Sequence, residues 1–168
     1  MIVSYSQTVH SALLAIEEQA SIGRIADVVL QKTDLKVKGL ILSVPFFFIK
    51  PRIVTFDDII DFDKNAVVIQ SAENAVPLAE LVSIQQAINS GMRGVKHKVF
   101  TKQGKFVGNV YDYTFESSSG LIYSLYVKRL VTDRIIPRTV ICELNEKGFI
   151  IDDDFELVRN ASPYPEQA

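Results

Sequence analysis

Gly23-Arg24-Ile25-Ala26-Asp27-Val28-Val29 is echoed later in the same chain by Gly108-Asn109-Val110-Tyr111-Asp112-Tyr113-Thr114, and this echo decides the fold. Three further blocks keep the same order. Gly39-Leu40-Ile41-Leu42 matches Gly120-Leu121-Ile122-Tyr123, Arg52-Ile53-Val54 matches Arg134-Ile135-Ile136, and Val67-Val68-Ile69 matches Phe149-Ile150-Ile151. The offsets are 85, 81, 82 and 82 residues, which predicts two copies of one unit that differ by a shortened segment between the first two blocks. A unit of about 80 residues is large enough to close a core of its own.

Alternation and turn chemistry make each unit β. In the second copy, Lys98–Thr101 and Phe106–Tyr111 flank Lys102-Gln103-Gly104-Lys105, the pattern of a hairpin. Ser117-Ser118-Ser119-Gly120 opens the run Leu121–Val127, and Asn145-Glu146-Lys147-Gly148 separates two more apolar runs. One stretch departs from this pattern. Pro77 to Gly91 carries apolar residues at 78, 81, 82, 84 and 88 between a proline and a glycine, which predicts an amphipathic helix between the copies, packed on one unit or in their seam. The expected division is a first domain over 1–76, a linker helix over 77–91, a second domain over 92–159 and a tail over 160–168.

The order of these blocks resembles the PRC-barrel domain: a Gly-Arg-Ile-x-Asp-Val-Val strand, a Gly-Leu-Ile-Leu strand, Arg-Ile-Val followed by Phe56-Asp57-Asp58-Ile59, and a closing Val-Val-Ile strand. The second copy departs from it at Arg138-Thr139-Val140, where the first has its acidic turn. The resemblance implies an all-β protein of two small PRC-type β-barrels in tandem. It also implies an adaptor or assembly role, since members of that family bind other proteins instead of turning over substrates.

Charge is uneven along the chain. Residues 1–90 hold 7 basic and 10 acidic side chains, residues 91–151 hold 10 and 5, and residues 152–168 hold 1 and 5. A basic second unit makes an RNA- or ribosome-associated role the first alternative, with Lys98, Lys128, Arg129 and Arg134 beside Tyr111, Tyr113, Tyr123 and Tyr126 as the candidate surface. Tyr111 and Tyr113, two apart, are expected to share one strand face, and Tyr123 and Tyr126 are not. A small-ligand-binding protein is the second alternative.

Catalytic and metal chemistry find no footing. Asp61-Phe62-Asp63-Lys64-Asn65 begins like a calcium loop, but Ala66 stands where glycine is needed and Ala72 where the closing glutamate belongs. Asp152-Asp153-Asp154 alternate in direction on an extended chain and do not converge. His10 and His97 have no clustered ligands, and Cys142, the only cysteine, sits in a β run as an expected buried small hydrophobe. The expectation is a non-enzyme without metal or cofactor. No export signal or membrane-spanning run is visible, so a cytoplasmic location is expected.

The most apolar stretch is Val44-Pro45-Phe46-Phe47-Phe48-Ile49-Lys50-Pro51. If it is extended, Phe47 points away from Phe46 and Phe48, and one barrel core cannot take all three rings. The surplus ring packs on the linker helix or the second barrel, or else Phe46, Phe47, Phe48, Lys50 and Arg52 form an interface for a protein partner or a second copy of the chain.

Overall fold

The computed structural model describes residues 1–43 and 50–152. Strand β1 (Ile2–Ser4) and a single helical turn, α1 (Tyr5–Thr8), lead into the first unit. That unit contains β2 (Ala12–Ala15), β3 (Ala20–Gln31), β4 (Lys36–Leu42), β5 (Arg52–Thr55), β6 (Ile59–Asp63), β7 (Ala66–Ile69) and the two-residue β8 (Val76–Pro77). Helix α2 (Val82–Asn89) follows. The second unit contains β9 (Lys98–Thr101), β10 (Phe106–Glu116), β11 (Ile122–Arg129), β12 (Thr132–Pro137), β13 (Ile141–Asn145) and β14 (Gly148–Ile151).

The protein is all-β in class, with two sheets of identical strand order. The first runs β6-β7-β2-β3-β4-β5-β8 and the second β13-β14-β9-β10-β11-β12, with β1 added beside β10. Each contains one parallel pair, β2 with β7 and β9 with β14. A 3-10 turn joins corresponding strands in each unit, Phe56–Asp58 in the first and Arg138–Val140 in the second, so the departure at Arg138 leaves the backbone plan intact. Neither path of hydrogen-bonded strands closes on itself among the described residues.

Cross-strand register corrects the second of the sequence matches. Val29 faces Gly39 on β4, and its counterpart Thr114 faces Ser124 on β11, not Gly120. The offset of 85 residues therefore holds through both β3–β4 and β10–β11, and the length difference falls between β4 and β5, where nine residues separate Leu42 from Arg52. Two glycines with unrelated duties produced the false match. Gly120 takes a turn at φ +72°, whereas Gly39 lies where a Cβ would come within 2.8 Å of the Val54 carbonyl oxygen.

Each unit's lead-in segment pairs with the other unit's sheet. Residues 2–4 pair with β10 of the second unit, Ile2 opposite Glu116 and Ser4 opposite Thr114. Reciprocally, the lead-in to the second unit lies against β3 of the first. Arg93 bridges Val29, Leu30 N–H donates to Met92 O (2.7 Å) and Gly94 N–H donates to Val28 O (2.9 Å). The units do not keep separate cores: one buried cluster contains Leu13, Leu30 and Phe62 together with Tyr113, Phe115 and Phe149, and the Phe62 and Phe115 rings meet edge to face at 5.5 Å.

The linker helix is shorter than expected. Pro77 does not start it but sits in β8 opposite Arg52, where a residue without an N–H is tolerated at the sheet edge. A 3-10 turn over Leu78–Glu80 precedes the helix proper. Ile84 is buried on Val29, Ile41 and Ile53, so α2 covers the outer face of the first sheet, with Leu81 and Ile88 at its flanks.

Two β-bulges overturn expectations made from strict alternation. Cys142 is the extra residue between Ile141 and Glu143, and this turns its thiol to solvent instead of the core. Tyr111 is likewise the extra residue between Val110 and Asp112, so it does not share a face with Tyr113. Tyr113 is fully buried and Tyr111 is 41% exposed.

Gly39→Ala tests the corrected register. With the Val54 carbonyl oxygen and the Ile53 side chain at the position of the new methyl, the variant is expected to lose about 1–3 kcal/mol in a denaturant titration. An unchanged midpoint would place Gly39 off the close β4–β5 approach.

Candidate functional site

Asp27 and Asp112 occupy the same position after the first bulge of the β3–β4 and β10–β11 pairings, and each ties a lead-in segment to its sheet. Asp112 Oδ1 accepts from Tyr113 N–H (2.9 Å) and Ser6 N–H (3.1 Å), while Oδ2 accepts from Ser6 Oγ (2.6 Å). Asp27 Oδ1 accepts from Val28 N–H and from Tyr5 Oη, both at 2.9 Å, and its Oδ2 pairs with Arg93 Nε at 2.8 Å. The first turn of the chain is thus held between both units. Partial burial, followed by the bond to Asp27, pushes the Tyr5 phenol up to about 12, so it stays a neutral donor. Both carboxylates are engaged in structure.

A concavity lies beside this anchor, on the outer face of the second sheet. It is an open groove of about 710 Å³. Ile2 and Ser4 of β1, with Ser6 and Gln7 of α1, form one wall. Tyr111 and Tyr126 form another, their rings 6.2 Å apart and steeply inclined. The floor includes Thr114, whose Oγ1 lies 2.7 Å from Ser124 Oγ, so the two buried hydroxyls satisfy one another. Lys128 and Asp133 stand at one end.

The sheet register splits the candidate basic surface. Lys98 faces Asn109, Asn109 faces Lys128, and Lys128 faces Asp133, so these four share the outer face. Arg134 faces Val127, which is buried, and therefore points to the other side, where its Nε is enclosed without a hydrogen-bond partner among the described residues. Arg129 turns along the sheet, donating from Nη1 to Phe106 O (2.9 Å) with its guanidinium 5.5 Å over the Phe106 ring. Lys50 and Arg52 are exposed, whereas Phe46, Phe47 and Phe48 lie outside the described residues.

Asp61 and Asp63 each accept from the next residue's N–H, at 2.8 and 2.7 Å, within the β6–β7 hairpin. Among the described residues no three His, Cys, Asp or Glu side chains gather to hold a metal, and no helix is long and apolar enough to cross a membrane. Asp153 and Asp154 lie outside the described residues. His97 is buried, with Nε2 donating to Gly94 O (3.1 Å) and its ring edge-on to Phe149 at 5.6 Å. Sequence reading named Tyr111, Tyr126 and Lys128 but missed Ile2, Ser4 and Ser6, which come from the far end of the chain and from the other copy's lead-in.

Compared with known protein families, the chain matches no family model, and no curated protein matches it.

Burial pushes the His97 imidazole below its ordinary range, outweighing the Gly94 carbonyl and the Asp27 charge. The unfolded chain then takes up a proton near pH 6.5 while the folded one does not, so stability is complete above that value and falls as pH drops through it toward the depressed folded pKa. His97→Gln is expected to flatten the stability profile in that window. Equal slopes for variant and parent between pH 5 and 7 would contradict this.

Proposed function

We propose that this chain is a cytoplasmic, non-enzymatic adaptor built from two PRC-type barrels, which binds a protein partner through its second unit. The observation that carries this reading is the groove between β1, α1 and β10–β12, whose walls are two tyrosines and a run of hydroxyl-bearing side chains. Tyrosine supplies a large contact area at low entropic cost while its hydroxyl remains wet, as interfaces require. Asp112, an acid in the groove's lining, is occupied in holding Ser6, which favours recognition over proton transfer. The matching strand order and 3-10 turns support the reading of the two units as copies of one plan.

An RNA-associated role is the second reading, favoured by the Lys98–Asn109–Lys128 row on one face. Asp133 closes that row and Arg134 points away from it, which leaves few cations to track a phosphate backbone.

Affinity purification of the tagged chain from its native host, in parallel with a Tyr111→Ser/Tyr126→Ser variant, tests the proposal. Both tyrosines face outward, so the double variant is expected to melt within a few degrees of the parent while losing the parent's protein partners. Recovery of the same partners by the variant would sink the groove as the binding surface. Binding of single-stranded RNA that weakens steeply with salt and survives the double substitution would favour the second reading.

A further inference from the structure

The internal duplication supplies a control for the groove. Cross-strand register sets Val29, Gly39, Ile41 and Ile53 of the first sheet against Thr114, Ser124, Tyr126 and Ile135 of the second. On the first sheet this face is covered by α2 through Ile84. On the second, no helix covers it among the described residues, and the groove opens there instead. We infer that the groove receives an amphipathic helix of a partner protein, in the place that α2 takes on the other copy. This rests on the adaptor reading above and names the partner's chemistry.

Backbone accounting separates a helix from an extended peptide. Strands β1, β10, β11 and β12 are paired in one ladder, so the backbone beneath the groove is already satisfied. A strand laid across side chains would bring N–H and C=O groups with nothing to meet them, whereas a helix arrives with its own bonds made. The floor accepts apolar contact because Thr114 and Ser124 bond each other, and they are only 8% and 6% exposed. Replacing Ile41 by its counterpart Tyr126 leaves a face tolerable in water when empty, as a reversible dock requires and a permanently covered one does not. At one end Lys128 stands opposite Asp133, so an incoming helix meets both signs of charge there.

The test uses a phage-displayed library of 16-residue peptides, selected on the full chain alone. Selected peptides are expected to space apolar residues at i, i+3 or i+4, and i+7, and to gain helical circular dichroism on binding. Tyr126→Ser should weaken them at least tenfold, and Tyr123→Ser, an exposed tyrosine outside the groove, should not. Peptides of alternating or no periodicity, or binding indifferent to Tyr126, overturn the inference. So does a dimer in sedimentation that Tyr126→Ser dissolves, which would make a second copy the occupant. A tenfold gain in peptide affinity on removing residues 153–168 overturns it in favour of the chain's own C-terminal segment. If partner proteins need the groove but the selected peptides are not helical, the helix inference falls and the adaptor reading stands.

Discussion

Two backbone hydrogen bonds, Val37 N–H to Gly120 O at 2.8 Å and Ile122 N–H to Leu35 O at 2.9 Å, hold the molecule's halves in relation. With the offset of 85 residues, Val37 corresponds to Ile122 and Leu35 to Gly120, so the two bonds are one interaction made twice in opposite directions. The bridge between them pairs Lys36 with its own counterpart, Leu121. This is the reciprocity of an isologous interface, built inside one chain. Leu35 and Gly120 both have positive φ, at 51° and 72°. For leucine that conformation costs about 1–2 kcal/mol, offset here by a buried side chain and a carbonyl that also accepts from Arg138 Nη1 (3.0 Å).

The rest of the arrangement follows from that reciprocity. Each unit's lead-in strand is placed against the other's long strand, β1 on β10 and residues 92–94 on β3, so each sheet is completed by the sequence that precedes its neighbour. At the same junction the shared core brings Phe62 onto Phe115 and Phe56 beside Gly120. At the position of Phe56 the second copy has Arg138, which reaches the carbonyls of Leu35 and Asp34. The same junction is closed apolar on one side and polar on the other. Divergence between the copies is greatest on the outer faces, where one sheet carries α2 and the other presents tyrosines and hydroxyls.

Much of the fold was legible in the residues. Turn-forming stretches such as Lys102–Lys105 and Asn145–Gly148 act within a few residues, and the duplicated Asp27 and Asp112 blocks marked equivalent strands without any reference to packing. The candidate site was legible only in fragments. Tyr126 and Lys128 stand two apart on one strand and could be named together, but Tyr111 joins them through a bulge, and Ile2, Ser4 and Ser6 through a pairing more than a hundred residues distant in the chain.

Sequence by itself determined the duplication, the β class, the helix after the first copy and the polar turns, because each depends on short-range periodicity or on the conformational limits of single residues. Tertiary structure alone decided the register of Gly39, the outward turn of Cys142, the separation of Arg134 from Lys128, and the exchange of lead-ins. Those depend on which strand a residue faces, and a one-residue bulge reverses every side chain beyond it without changing the composition of the run.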